Sequence, residues 1–248
     1  MFEDPALFAL ALGRASGWVA TVPIFGPVRT TAIGRIGLAV AIAMFVSGSM
    51  PPTDVPSELG PIGVVLAGQV LYGMLLGWIT SLVISAFEAA GGTIDLVGGL
   101  SAGAVLDPST GTSNATVARL FQMTFVAVLV ITNAHLLIVG GFVRSFARVP
   151  ATTIPVIGED DLSAIVRAAA DLLLASLEIG APVVGVLILA EVAMALAARF
   201  APQANIFMLS LPLKAMIVLV LLANVLLFLP VFTERITEEA ATLLVRVG

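Results

Sequence analysis

Residues 62–87 run without a single Asp, Glu, Lys or Arg. This restricts the fold more than any other feature of the chain. A helix through such a stretch is apolar all round and must lie in lipid or be sheathed by protein. A membrane-spanning helix needs roughly 20 mainly apolar residues, and five further stretches qualify in whole or part. They are about 6–25, interrupted by Arg14; about 30–50, with Arg35 near its start; 120–143, which contains His135; about 172–196, with Glu178, Pro182 and Glu191; and 215–233, between Lys214 and Glu234. The expected class is an all-α integral membrane protein of about six apolar segments.

Composition agrees. The 248 residues are 59% hydrophobic and 11% charged, against about 25% charged in a soluble domain. One soluble core could be built at this length, but the polar surface to cover it is lacking. With no cysteine and one histidine, His135, the chain has no disulfide, no thiolate site and no multi-histidine metal site. Net charge is −5 with no basic run, which argues against a nucleic-acid partner. The start, Met-Phe-Glu-Asp, lacks the positive region of a secretory signal, so the first apolar segment is expected to remain. Nothing implies a cofactor.

The connections differ in kind. Residues 51–61 are proline-rich and extended or turned. The acidic run Glu159-Asp160-Asp161 suits the positive end of a helix beginning near Leu162. From Glu234 to 248 the pattern is a tail in the form of a short amphipathic helix. Residues 88–118 are neither a clean span nor a plain loop: glycines at 91, 92, 98, 99 and 103 precede a small, polar run beginning at Leu106. Non-helical backbone at membrane depth is tolerated only where protein or a water-filled cavity satisfies it. Residues 199–214 form a polar notch between two apolar stretches, with Pro202, Gln203, Asn205 and Pro212, and with Arg199 and Lys214 at its ends.

Lys and Arg bias does not orient a six-span chain. Arg29, Arg35, Arg119, Arg199 and Lys214 fall on one side, and Arg144, Arg148, Arg167, Arg235 and Arg246 on the other. The pairs Gly13/Gly17, Gly73/Gly77 and Gly99/Gly103 fit the small-residue spacing that lets membrane helices approach closely, either within the chain or between subunits.

Arg14, Arg35, Glu88, Asp95, Glu178, Glu191, Arg199 and Lys214 sit in or beside apolar stretches. Charge there pairs, faces a cavity or sits at a helix end. One reading is an ion or proton pathway; the plainer one is salt bridges within an assembly. His135 is a proton relay or a hydrogen-bonding partner of a neighbouring helix. Glu178 precedes Gly180 and Pro182, which fits either a transporter's broken helix or a kink with a paired or protonated carboxyl. No phosphate loop, nucleophile elbow or paired-histidine motif is present, so an enzyme is not expected.

The notch Arg199-Phe-Ala-Pro202-Gln203-Ala-Asn205-Ile-Phe207, continued by Leu211-Pro212-Leu213-Lys214, resembles the C-terminal signature of the FliR family of type III export-gate proteins. Pro23 to Arg29, Ala90 to Asp95 with Asp107-Pro108, and Gly140-Gly141 with Ser145, Phe146 and Pro150 resemble family segments in the same order, so the likeness spans nearly the whole chain. One departure is Gln69, where family members often carry glutamate. The resemblance implies one FliR-type membrane domain over 1–248, with a FliP-like part followed by a FliQ-like hairpin. It implies a non-enzymatic subunit of a flagellar export gate in the bacterial inner membrane at the basal body. FliP-like and FliQ-like partners, an FlhB-like export-switch protein, unfolded protein substrates and membrane lipid come with it. It makes residues 103–118 a plug-like loop, with Gly103, Asp107, Pro108, Ser109, Thr110, Gly111, Thr112, Ser113 and Asn114 as gating residues. Arg199, Pro202, Gln203, Asn205, Phe207, Pro212 and Lys214 form an assembly joint, with Lys214 or Arg199 free to pair with Glu191. The rivals are a proton- or ion-coupled secondary transporter using Glu178, Glu191 and His135, and a membrane scaffold without a pore.

Overall fold

A computed structural model describes residues 5–23, 31–49, 59–101, 115–200 and 206–247. Among them lie seven helices and no strand: α1 Pro5–Thr21, α2 Ala32–Ser49, α3 Leu59–Val97, α4 Thr116–Ile131, α5 His135–Arg148, α6 Glu159–Phe200 and α7 Ile206–Val247. Four described helices, α2, α3, α6 and α7, are long and apolar enough to cross a membrane, and α4 with α5 makes a fifth if counted as one broken span.

Local chemistry sets the helix ends. Thr31 caps α2, its hydroxyl accepting from the Gly34 amide at 3.2 Å. The acidic run forms the first turn of α6 itself, and Asp161 reaches back to accept from the Gly158 amide at 3.1 Å, half of a capping box. Arg148 pairs with the same Asp161 at 3.0 Å. The expected fourth span breaks where Asn133 adopts φ 58°, a left-handed conformation that ends a right-handed helix. α3, α6 and α7 outrun their apolar stretches, at 39, 42 and 42 residues. The expected odd connection is therefore helical as far as Val97, and the segment from Glu234 is the last part of α7.

The contacts group into two compact units. The first combines Met1–Val83, Asn133–Ala170 and Thr237–Gly248; the second combines Ile84–Thr132 and Asp171–Ile236.

In the first unit, α1 crosses α3 on glycine. A Cβ on Gly73 would overlap the backbone of Arg14, one on Gly17 the backbone of Val70, and one on Gly77 the Thr21 side chain. Two of the small-residue pairs thus serve an internal helix crossing. Trp18, brought close by this approach, stacks on Phe142 with centroids 4.6 Å apart and donates to Thr80 Oγ1 at 3.1 Å. Phe146 meets Phe142 edge-on at 5.6 Å.

Arg14 is fully buried in this core. Its Nε donates to Gln69 Oε1 at 2.7 Å, Nη1 to Ser145 Oγ at 3.2 Å and Nη2 to the Val149 carbonyl at 2.7 Å. Its guanidinium lies 4.0 Å from the Phe146 ring centre and 5.0 Å from that of Tyr72. Neutral acceptors and ring faces thus hold the cation. Gln69 also donates through Nε2 to the carbonyls of Thr153, at 2.9 Å, and Pro150, at 3.3 Å. A glutamine does here what a glutamate cannot, because one end accepts while the other donates. Tyr72 donates its hydroxyl proton to the Val247 carbonyl, tying the end of α7 to the same core.

Two outcomes follow from this packing. Gly73→Ala is expected to lower the stability of the detergent-purified chain by about 1–3 kcal/mol, the usual cost of overpacking. Gly63→Ala, on the same helix with no atom within 4 Å of its added Cβ, should not lower the melting temperature. Gln69→Leu should also destabilise, by about 1–3 kcal/mol for the donor and acceptors it leaves unpaired. Gln69→Glu should keep the Arg14 contact while releasing the turn at 150–153, seen as faster hydrogen exchange there.

Candidate functional site: the anchored ends of residues 102–114

All nine expected gating residues, Gly103, Asp107, Pro108, Ser109, Thr110, Gly111, Thr112, Ser113 and Asn114, lie outside the described residues. The ends of that segment are described, and both belong to the second unit.

The near end is a helix stop. Gly99 takes φ +71°, and the Leu100 amide donates to the Asp95 carbonyl at 3.0 Å while the Gly99 amide donates to Leu96 at 3.3 Å. This is a Schellman arrangement, and glycine is the residue that reaches its left-handed position without strain. The stop rests on the start of α7. A Cβ on Gly98 would lie 3.0 Å from Val218, and one on Gly99 3.1 Å from Leu211. Lys214 Nζ reaches the Val97 carbonyl at 3.4 Å and Glu191 at 3.2 Å. The lysine side chain is 12% exposed and the glutamate 60%. A cation at the last carbonyls of α3 also complements the negative end of that helix.

The far end is a helix start. Ala115, at the cap position of α4, offers no side-chain bond. The cap comes from 22 residues away: Asp95 Oδ1 accepts from the Val117 amide at 3.1 Å and Oδ2 from the Ala118 amide at 2.9 Å. Asp95 is fully buried, and its charge sits where the helix carries positive partial charge and unpaired N–H groups. The approach needs Gly91, because a Cβ there would come within 2.5 Å of Ala118 Cα. Phe87 and Phe125 stack 4.3 Å apart on the same pair of helices. Asp95 thus closes both ends, its carbonyl at Leu100 and its carboxylate at Val117 and Ala118. The expected loop of 103–118 shortens at this end, since Thr116 to Ala118 are the first residues of α4.

The other expected residues fare unevenly. Of the joint, Pro202, Gln203 and Asn205 lie outside the described residues, as does the side chain of Phe207. Arg199 is exposed at the end of α6. Pro212 and Lys214 are inside α7, so the interval between helices is 201–205 and Pro212 does not form one of its turns. Lys214 and Glu191 do meet. Glu178 lies 3.6 Å from Arg235, with both side chains more than half exposed, a pair that contributes little. α6 runs through Pro182 without a break. His135 is the first residue of α5, in the other unit. Gly98-Gly99 after an apolar run is a readable stop signal; the reach of Asp95 to a cap on another helix has none in the sequence.

The family model for bacterial export proteins, family 1, matches residues 6–240. The flagellar biosynthetic protein FliR of Bacillus subtilis (strain 168) is 30% identical over 220 residues, 87% of this chain and 84% of that protein. The FliR of Escherichia coli (strain K12) is 26% identical, covering 96% of this chain and 91% of that one. The Yop proteins translocation protein T of Yersinia pestis is 24% identical, covering 76% and 73%. A match over this much of the chain, together with its membrane-length apolar helices, makes the protein a member of the bacterial export proteins, family 1, and a membrane component of a bacterial export apparatus.

Proposed function

We propose that this protein is the FliR-like subunit of a flagellar type III export gate in the bacterial inner membrane. With FliP-like and FliQ-like partners it forms the channel for unfolded export substrates, and an FlhB-like export-switch protein adjoins it. It is not an enzyme in this reading. The flagellar assignment rests on the 30% identity to the Bacillus subtilis FliR, against 24% to the Yersinia protein and 26% to the surface presentation of antigens protein SpaR of Shigella flexneri.

The observation that carries the reading is the double closure by Asp95. Residues 107–114 are small and mostly polar, and both flanks of 102–114 are tied to one turn of α3. That suits a plug, which must yield to a substrate while its base stays put. A long connection within a compact chain is most often functional or disordered. The notch at 199–214 is the assembly joint in this reading. The transporter reading draws less support, since Glu191 is engaged by Lys214 and Glu178 lies beside Arg235.

Two measurements test this. Deleting residues 109–114 from the assembled gate should raise ion leakage through the membrane, and leakage equal to wild type would sink the plug. Asp95→Ala should raise leakage in the same direction, with a stability loss of about 1–2 kcal/mol for the missing cap. Extraction from membranes should also bring out two smaller, different partner proteins; a chain that emerges alone or as a symmetric dimer would favour a transporter.

A further inference from the structure

In the first unit, α1 and α2 border a cleft of about 230 Å³. Val19 and Ala20, in the last turn of α1, form one wall; Ile36 and Ala39 of α2 form the other, with Arg35 in the first turn of α2 at the same end. The cleft therefore lies at the connection end of the two helices. If α2 spans, that end lies near a membrane interface. The outward side of α2 is apolar, with Ile33 83%, Ile36 65% and Phe45 66% exposed, as suits a helix facing hydrocarbon.

Arg35 is the misfit in this setting. Its Nε is buried and has no hydrogen-bond partner among the described residues, and α1 and α2 contain no Asp or Glu. Ser16, the other polar residue among the described residues lining the cleft, already donates to the Gly13 carbonyl at 2.9 Å. A buried donor left unpaired carries the full cost of its desolvation. Guanidinium presents two parallel N–H groups along its Nε edge, and that fork matches phosphate oxygens. An arginine at a helix end can turn its head group to the interface while its stem stays on apolar surface.

We propose that this cleft binds a phosphate-headed lipid. A modest rotation of Arg35 turns its Nε edge to the phosphate, and the upper acyl chain lies along Val19, Ala20, Ile36 and Ala39. The shared chemistry is a phosphate ester; the apolar walls select the amphiphile over the free ion.

The test uses the full chain, extracted with whatever partners accompany it, and native mass spectrometry. The probes are dioleoylphosphatidylglycerol, dioleoylglycerol (which lacks the phosphate) and inorganic phosphate as competitor. Wild type should retain the phospholipid and not the diacylglycerol, and millimolar phosphate should not displace it. Arg35→Gln should weaken retention about tenfold, as expected for losing a charge-assisted contact. Ala20→Leu, which narrows the cleft and keeps the charge, should weaken it as well. Equal retention by wild type and both variants, or equal retention of the diacylglycerol, would overturn the site. Displacement by inorganic phosphate would make it a simple anion site and overturn the lipid. A photo-crosslinker at Ala39 that labels only a partner protein would show the cleft to be a subunit contact, and would overturn the proposal too.

Discussion

The second unit depends on one buried carboxylate. Asp95 is fully enclosed, and its charge is met by the Val117 and Ala118 amides rather than by a cation. In water a helix start can borrow solvent for its unpaired N–H groups; inside an apolar chain it cannot. Placing the acceptor on α3 fixes the start of α4 against the end of α3. The Gly91 approach, the Phe87–Phe125 stack and the stop at Gly99 are all arranged around that contact. Removing the carboxylate would leave two buried donors unpaired, and so it cannot be replaced by an apolar side chain of like size.

The first unit solves the opposite charge in a similar way. Arg14 is surrounded by an amide oxygen, a hydroxyl, a carbonyl and two aromatic rings. Dipoles solvate each deeply buried charge. The ion pairs among the described residues each leave one partner substantially exposed: Arg148, Glu191, and both members of the Glu178–Arg235 pair. This follows from the cost of desolvating two ions to make one pair, which dipoles already fixed by helix geometry avoid. Gln69 links the cation's site to the 150–153 turn, which gives a physical reason for an amide at that position.

The apolar segments and their helical nature were legible because hydropathy reports which stretches can lie in lipid. It does not report where backbone hydrogen bonding stops. Residues 88–97 are helical beyond their apolar run for that reason, and the helices expected near Leu162 and from Glu234 are continuous with the apolar lengths of α6 and α7. The break at Asn133 escaped as well, since one left-handed residue changes φ and leaves composition untouched. At the candidate site, the pairing of Lys214 with Glu191 was visible as an option between two charges in apolar surroundings, and the structure makes it. The role of Asp95 was not, because a cap supplied across 22 residues has no periodicity or spacing to betray it. The glycine pairs were readable as close-approach motifs; that Gly13 and Gly17 face the α3 segment bearing Gly73 and Gly77 needed the tertiary structure.

Holding both ends of a segment on one turn of helix separates the helices from whatever lies between. A flexible segment closed at both ends charges its length only weakly to a fold: doubling it costs about 0.6 kcal/mol in closure entropy. Residues 102–114 can therefore drift in length and composition while α3 and α4 stay where Asp95 puts them. This stretch can differ between family members without any redesign of the scaffold. Variation should accumulate between Ser101 and Ala115 and stop abruptly at the residues that tie it down.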